Sequence, residues 1–178
     1  GSDPRLVGGA ISPSARSASN LVIDSSTMVR ARVLRNGEWS AITEATFLTG
    51  TPASSGNLVI SEVLYNPEGP SEDGEFIELL NISNEEINLA GVRFEDGIQY
   101  AFAAGDRLAP GQRLVLTPNE YTGLLANGGE PLSLLAYDGA VIRSFRFDDG
   151  APWAESADGD GFSLVLAEPS GNPDPALP

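Results

Sequence analysis

The chain has 178 residues and a formal net charge of −15, with no Cys and no His, and all ten of its basic residues are Arg, so it has no Lys. Those absences exclude disulfides, thiolate nucleophiles and Cys- or His-bound metals, Ser-His-Asp triads, and Schiff-base or P-loop lysines. Any catalysis would fall to carboxylates, hydroxyls, Arg or a hard cation.

At 41% hydrophobic and 20% charged the chain can bury a core, and 20 Gly with 13 Pro suit short strands joined by turns. No segment carries a helical apolar period. Gly, Pro, Asn or Asp interrupts the apolar runs about every eight to twelve residues, the spacing of a β-sandwich or barrel. Residues 1–50 predict two strands. In the first, residues 27–34 (TMVRARVL), Met28, Ala31 and Val33 would face inward between Arg30 and Arg32. An Asn36-Gly37 hairpin turn follows, and then a second strand, EWSAITEATFL, with Trp39 expected in a core. Residues 51–57 (TPASSGN) read as a small polar linker.

From residue 58 strand signals come regularly: LVISEVLY, GEFIELLNIS, INLAGVRFE, IQYAF, RLVLT, PLSLLAY, AVIRSFRF and FSLVLAE. Residues 68–75 (EGPSEDGE) read as a solvated acidic hairpin loop. Residues 169–178 (PSGNPDPALP) are a Pro-rich tail without a packing signal. Charge is divided unevenly. Residues 1–57 hold four acids and five Arg, a net +1, and residues 58–178 hold 21 acids and five Arg, a net −16. Such a field repels phosphate backbones, and no Arg run is interleaved with aromatics, so no nucleic-acid partner is expected. No stretch approaches the ~20 apolar residues of a membrane span. The abrupt start at GSDPR is expected to lie inside a longer protein, so the lack of a visible signal peptide carries no weight.

Three groups of residues are candidates for function. Period-two alternation puts Leu58, Ile60, Glu62 and Leu64 on one strand face, and Glu78 interrupts the next apolar run. A buried carboxylate needs a partner. For Glu62 and Glu78 that is either a cation or peptide site, or a structural bond to backbone or Arg; the structural bond is the expectation. Trp153 is either a partner-binding aromatic on a loop or a cap over the end of a sandwich, and the cap is expected because large aromatics dominate burial.

The third group is SADGDGFSLVL. Both EF-hand frames fail at the required ligand positions, and FSLVL reads as a strand rather than an exiting helix. A looser calcium site from Asp148, Asp149, Glu155, Asp158 and Asp160 is an alternative, as is a catalytic carboxylate pair. The preferred reading is a turn: Gly159 and Gly161 permit positive φ, and Asp bonds its own backbone.

The pieces LVISEVLYNP, GEFIELLN, NLAGVRF, LAPGQRLVL, LLANGGEPLSLLAYDG and DDGAPWAESADGDGFSLVL, in this order, resemble the lamin-tail domain, an immunoglobulin-like β-sandwich, over residues 58–168. One departure stands out. The family usually places a longer segment between RLVL and NGGE, whereas here TPN runs directly into EYTG. Either this connection is short, or a loop is absent from the sequence. The earlier stretch GSDPRLVGGAISPSA with STMVRARVLRNGEWSAITEATF is similar to the second half of the small β module at the C-terminus of chitobiase-like enzymes. Such modules often precede lamin-tail domains in large bacterial surface and secreted proteins, including those with a spore-coat-kinase-like (CotH) region. In animal lamins the related domain binds proteins and chromatin.

The expected architecture is therefore all-β. A truncated β module (residues 1–50) and a linker (51–57) precede an immunoglobulin-like sandwich (58–168) and the tail (169–178). The resemblance implies a non-catalytic interaction or anchoring module of a larger bacterial surface or secreted protein. Its partner would be a protein or surface polymer, met through loop ends or an exposed sheet edge, and it would need no cofactor. The alternative is a calcium-dependent adhesion or carbohydrate-binding module.

Overall fold

Asn36 and Gly37 both take positive φ, 53° and 83°, the backbone of a two-residue hairpin turn matched to strand twist. They join β2 (Leu34–Arg35) to β3 (Glu38–Trp39), outside a longer antiparallel pair, β1 (Thr27–Ala31) with β4 (Thr43–Phe47). The expected long strand 27–34 is thus interrupted. The Arg32 guanidinium forks onto Asp3 at 2.8 and 2.9 Å and donates to the Ser40 carbonyl at 2.7 Å. That pairing holds the Asp3 carboxyl down at about 2. The computed structural model describes residues 2–17 and 20–168, so the Pro-rich tail lies outside the described residues. The chain divides between Thr49 and Gly50 into two units.

In the N-terminal unit the expected inward face is overturned. Met28 and Val33 are exposed, and Thr27 and Val29 are the half-buried positions. Trp39 is half-buried, not core, and its indole N–H donates to the Gly9 carbonyl at 2.7 Å. No apolar side chain of this unit's described residues is buried. Polar bonds such as the Arg32 fork carry the contacts instead.

The C-terminal unit is a sandwich. Its strands are β5 (Thr51–Pro52), β6 (Leu58–Leu64), β7 (Phe76–Asn81), β8 (Ile87–Asn88), β9 (Arg93–Asp96), β10 (Tyr100–Ala101), β11 (Arg107–Leu108), β12 (Arg113–Leu116), β13 (Pro131–Leu135), β14 (Val141–Arg146) and β15 (Leu164–Val165). One antiparallel sheet runs β12-β7-β6-β15 and another β10-β9-β13-β14, with a short sheet β11-β8-β5 beside them. Among the described residues helix is limited to two 3-10 turns, Glu72–Gly74 and Glu155–Ala157.

Apolar alternation explains the core. Ile60, Val63, Ile77, Leu79 and Leu116 of the first sheet and Phe94, Leu132, Leu134, Ile142 and Phe145 of the second are buried in one cluster. Tyr65 and Phe147, both fully buried, stack at 4.9 Å in the same cluster.

Two sequence expectations change here. INLAGVRFE is not one strand. Gly91, at φ +76°, breaks it, so β8 joins the short sheet while β9 joins the second large one. Residues 51–57 do not form a free linker. Thr51 and Pro52 pair in parallel with β8, Ala53 enters the core, and the Asn57 side chain bonds Ser54 N at 2.7 Å and the Pro52 carbonyl at 2.9 Å.

Candidate functional site

A bulge decides where the two strand carboxylates point. Ile60 faces Leu79 and Val63 faces Ile77, all four in the core, yet Glu62 faces Glu78. The register slips between Ile60 and Glu62, leaving Ser61 as the extra residue. An inserted residue inverts the parity of a strand. Glu62 therefore leaves the face of Ile60, which corrects the expectation that the two share it. The outer face carries a row Val115, Glu78, Glu62, Val165 across the four strands. Glu78 accepts from the Arg113 guanidinium and from the Ser61 hydroxyl, the latter at 2.7 Å. Glu62 accepts from the Ser163 hydroxyl at 2.5 Å and has no ion-pair partner among the described residues.

Trp153 follows a turn closed by its own N–H on the Gly150 carbonyl at 3.0 Å. Its ring is half-buried and lies 6.3 Å from that of Phe145, tilted by 30°. Beside it opens a groove of about 320 Å³ along β6 and β15. Phe145, Pro152, Trp153, Leu164 and Leu166 line it together with Glu62. The structure thus brings Trp153 and Glu62 to one groove and leaves Glu78 on the outer sheet face.

The aspartates sit apart from this groove's lining. Asp158 accepts from Asn66 Nδ2 at 2.6 Å, and Gly159 N donates to the Asn66 carbonyl at 3.1 Å. Gly159 and Gly161 stand at φ +87° and +82°, a region that strains side-chain-bearing residues. Asp148 accepts from Gly150 N at 3.3 Å and lies 3.8 Å from Arg146 Nε. Asp149 and Asp160 are exposed. Asp148, Asp149 and Asp158 still share a field. Burial first, and then these three charges, push the Tyr65 phenol up to about 12. Among the described residues no three acids converge tightly enough to hold a metal ion.

The profile of the Lamin Tail Domain family matches residues 51–172. The chain belongs to the lamin tail domain family. No curated protein and no solved structure matches it. The family match begins at Thr51, where β5 enters the sheet, so the lamin tail domain includes the stretch that composition had marked as linker. Its all-β, immunoglobulin-like sandwich is the architecture the sequence led us to expect. Lamin tail domains are generally non-catalytic.

The lamin tail domain also holds a carboxylate that sequence reasoning missed. Glu75 closes the acidic loop read as solvated, yet it is 1% exposed. One oxygen accepts from Leu125 N at 3.0 Å and from the Tyr121 hydroxyl at 3.2 Å. The other is buried without a hydrogen-bond partner. This ties the residue before β7 to the connection between β12 and β13. The signal was faint: Glu75 directly precedes an apolar strand, and loop acids and buried acids look alike in composition.

Burial raises the Glu75 carboxyl above its ordinary range, and the neighbouring Glu72 carboxylate raises it further, against the two hydrogen bonds. A raised acid binds its proton more tightly folded than unfolded, so its contribution to stability falls as pH rises through that interval. Glu75→Gln keeps an acceptor for Leu125 N and presents an amide donor toward Glu72. We expect E75Q to unfold at a higher temperature than the parent at pH 7, with the gap closing toward pH 4. Parallel thermal melts across that range check this; a gap independent of pH would contradict it.

Proposed function

We propose that this lamin tail domain is a non-catalytic interaction or anchoring module of a larger bacterial surface or secreted protein, and that its contact is the groove beside Trp153. The observation that carries this is the groove itself. A large aromatic, half-buried and braced on Phe145, forms a wall against the short edge strand β15. Half-buried aromatics on a rigid scaffold are the residues that dominate binding energy at interfaces. The resemblance of the N-terminal strands to a chitobiase-type module supports the same setting, because such modules accompany lamin-tail domains in surface and secreted proteins. The partner is then a protein or surface polymer.

The test is retention of the full chain, fused to a fluorescent protein, on a panel of bacterial cell envelopes. Trp153→Ala should lower retention about tenfold or more, as loss of a hot-spot side chain does. Retention should persist in chelator. Equal retention of a folded W153A variant would place the contact elsewhere.

A further inference from the structure

We infer that the open edge of β15 takes up an extended peptide as an added strand, one whose alternating side chains are apolar toward the groove and basic toward Glu62. This rests on the groove reading above and names the class of partner.

The backbone of the edge comes first. Leu164 pairs with Val63, and Leu166 N donates inward to the Ser61 carbonyl at 2.9 Å. In an antiparallel ladder successive residues point their polar groups to opposite sides. The N–H and C=O of Val165 therefore point away from β6. Among the described residues no strand pairs with β15 on that side. Natural sheets guard such edges by keeping them very short or with Lys, Pro, inward charges or bulges; shortness is the one guard β15 has. The stretch FSLVLA, residues 162–167, has none of these charges or prolines, and its Phe162 and Val165 are 63% and 67% exposed.

Charge then selects the partner. Glu62 stands directly opposite Glu78, and like charges across a ladder repel. Among the described residues Arg113 is the one cation bonded to that pair, and it lies on Glu78. A strand added to β15 would lie two strand spacings from β6, about 9.6 Å. An Arg or Lys side chain reaching across Val165 would meet the Glu62 carboxylate. The neighbouring peptide residues would turn the other way, toward Phe145, Trp153 and Leu164, where the groove has room for large apolar side chains. The net −16 of residues 58–178 steers a basic segment toward the surface and repels an acidic one.

Fluorescence anisotropy on the full chain tests this. The probe is a short capped, dye-labelled peptide of alternating Val or Phe and Arg. Its controls are the counterpart with Glu for Arg and a version methylated on alternate backbone nitrogens. We expect the Arg peptide to bind, the Glu peptide not to bind, and N-methylation to weaken binding at least fivefold. Val165→Pro, which removes the outward N–H and spares the inward bonds of Leu164 and Leu166, should weaken it as much. Should V165P fail to fold, the N-methylated peptide reads the same bond from the other side. Glu62→Gln should weaken binding at least fivefold, against less than twofold for Glu86→Gln, an exposed acid on the turn before β8. Equal effects of E62Q and E86Q would mean diffuse charge attraction and overturn the inference. So would undiminished binding of the N-methylated peptide, or no binding of the Arg peptide. If the Arg peptide fails while W153A still releases the chain from envelopes, the groove reading stands and only the strand-addition inference falls.

Discussion

Gly129→Ala is expected to cost the lamin tail domain about 3–5 kcal/mol, combining the strain of a left-handed alanine with overpacking against fixed atoms. Gly129 sits at φ +83°. A Cβ there would stand 2.4 Å from the Phe147 carbonyl oxygen and 2.5 Å from Asp148 Cα. Both are backbone atoms, so no side chain can rotate away. They also cannot shift freely. Phe147 N donates to the Glu130 carbonyl at 3.2 Å, and the Phe147 ring is fully buried against Tyr65. Relief of the clash must therefore move the backbone that seats a core aromatic. Gly139→Ala is the control. Gly139 has φ +87° with open space around the Cβ position, so it should cost only the conformational strain, about 1–2 kcal/mol. Urea midpoints of the two variants separate the terms, and equal losses would falsify the packing argument.

What could be read from the sequence follows the same division between local rule and tertiary placement. Strand character, the Asn36-Gly37 turn and the Gly159–Gly161 turn are local, because each depends on a period of two or on a backbone angle only Gly or Asn takes easily. The six ordered pieces from LVISEVLYNP onward carried the family. What escaped depends on one inserted residue or one long-range partner. Ser61 fits either face of a strand, so nothing in LVISEVLY announces the bulge that turns Glu62 outward. Gly91 looks like a tolerated strand glycine, but its positive φ sends β8 and β9 to different sheets. Thr51 and Pro52 have linker composition, and only the distant β8 makes them a strand.

The candidate residues were legible as residues, and their grouping was not. Trp153 and Glu62 were singled out separately. They meet at one groove because the chain returns after Trp153 to pair with β6 as β15, with Val165 opposite Glu62. Glu75 went unnoticed because its burial depends on Tyr121 and Leu125, which lie 46 and 50 residues away along the chain.

Asn81 gives the other large expected effect. It ends β7, is 0% exposed, and holds three stretches of backbone together. Its Nδ2 donates to the carbonyls of Glu85 at 2.7 Å, Leu108 at 2.9 Å and Ala109 at 3.1 Å. Its Oδ1 accepts from Ser83 N at 2.9 Å and from the Ser83 hydroxyl at 2.8 Å. An amide nitrogen has two hydrogens, so three acceptors must share them, and no other side chain of this size offers both the donors and the acceptor. Asn81→Ala removes the buried bond to the Leu108 carbonyl and both bonds to Ser83, while the Ala109 and Glu85 carbonyls each lose one donor but keep another, Gln112 N and the Ser83 hydroxyl. At about 0.5–1.5 kcal/mol per lost hydrogen bond we expect a total loss of about 3–4 kcal/mol. Asn81→Asp is the sharper experiment, because it keeps the shape and the acceptor for Ser83 and replaces only the donor. An ionised carboxylate facing three carbonyl oxygens is worse than an empty site. At pH 7 N81D should therefore be at least as unstable as N81A. Burial and those carbonyls would hold the new acid's proton more tightly folded than unfolded, so its stability should recover as pH falls. Chemical denaturation of both variants at pH 7 and pH 4 reads this directly. If N81D matches the parent at pH 7, the donated hydrogen bonds are not what fastens these turns to β7.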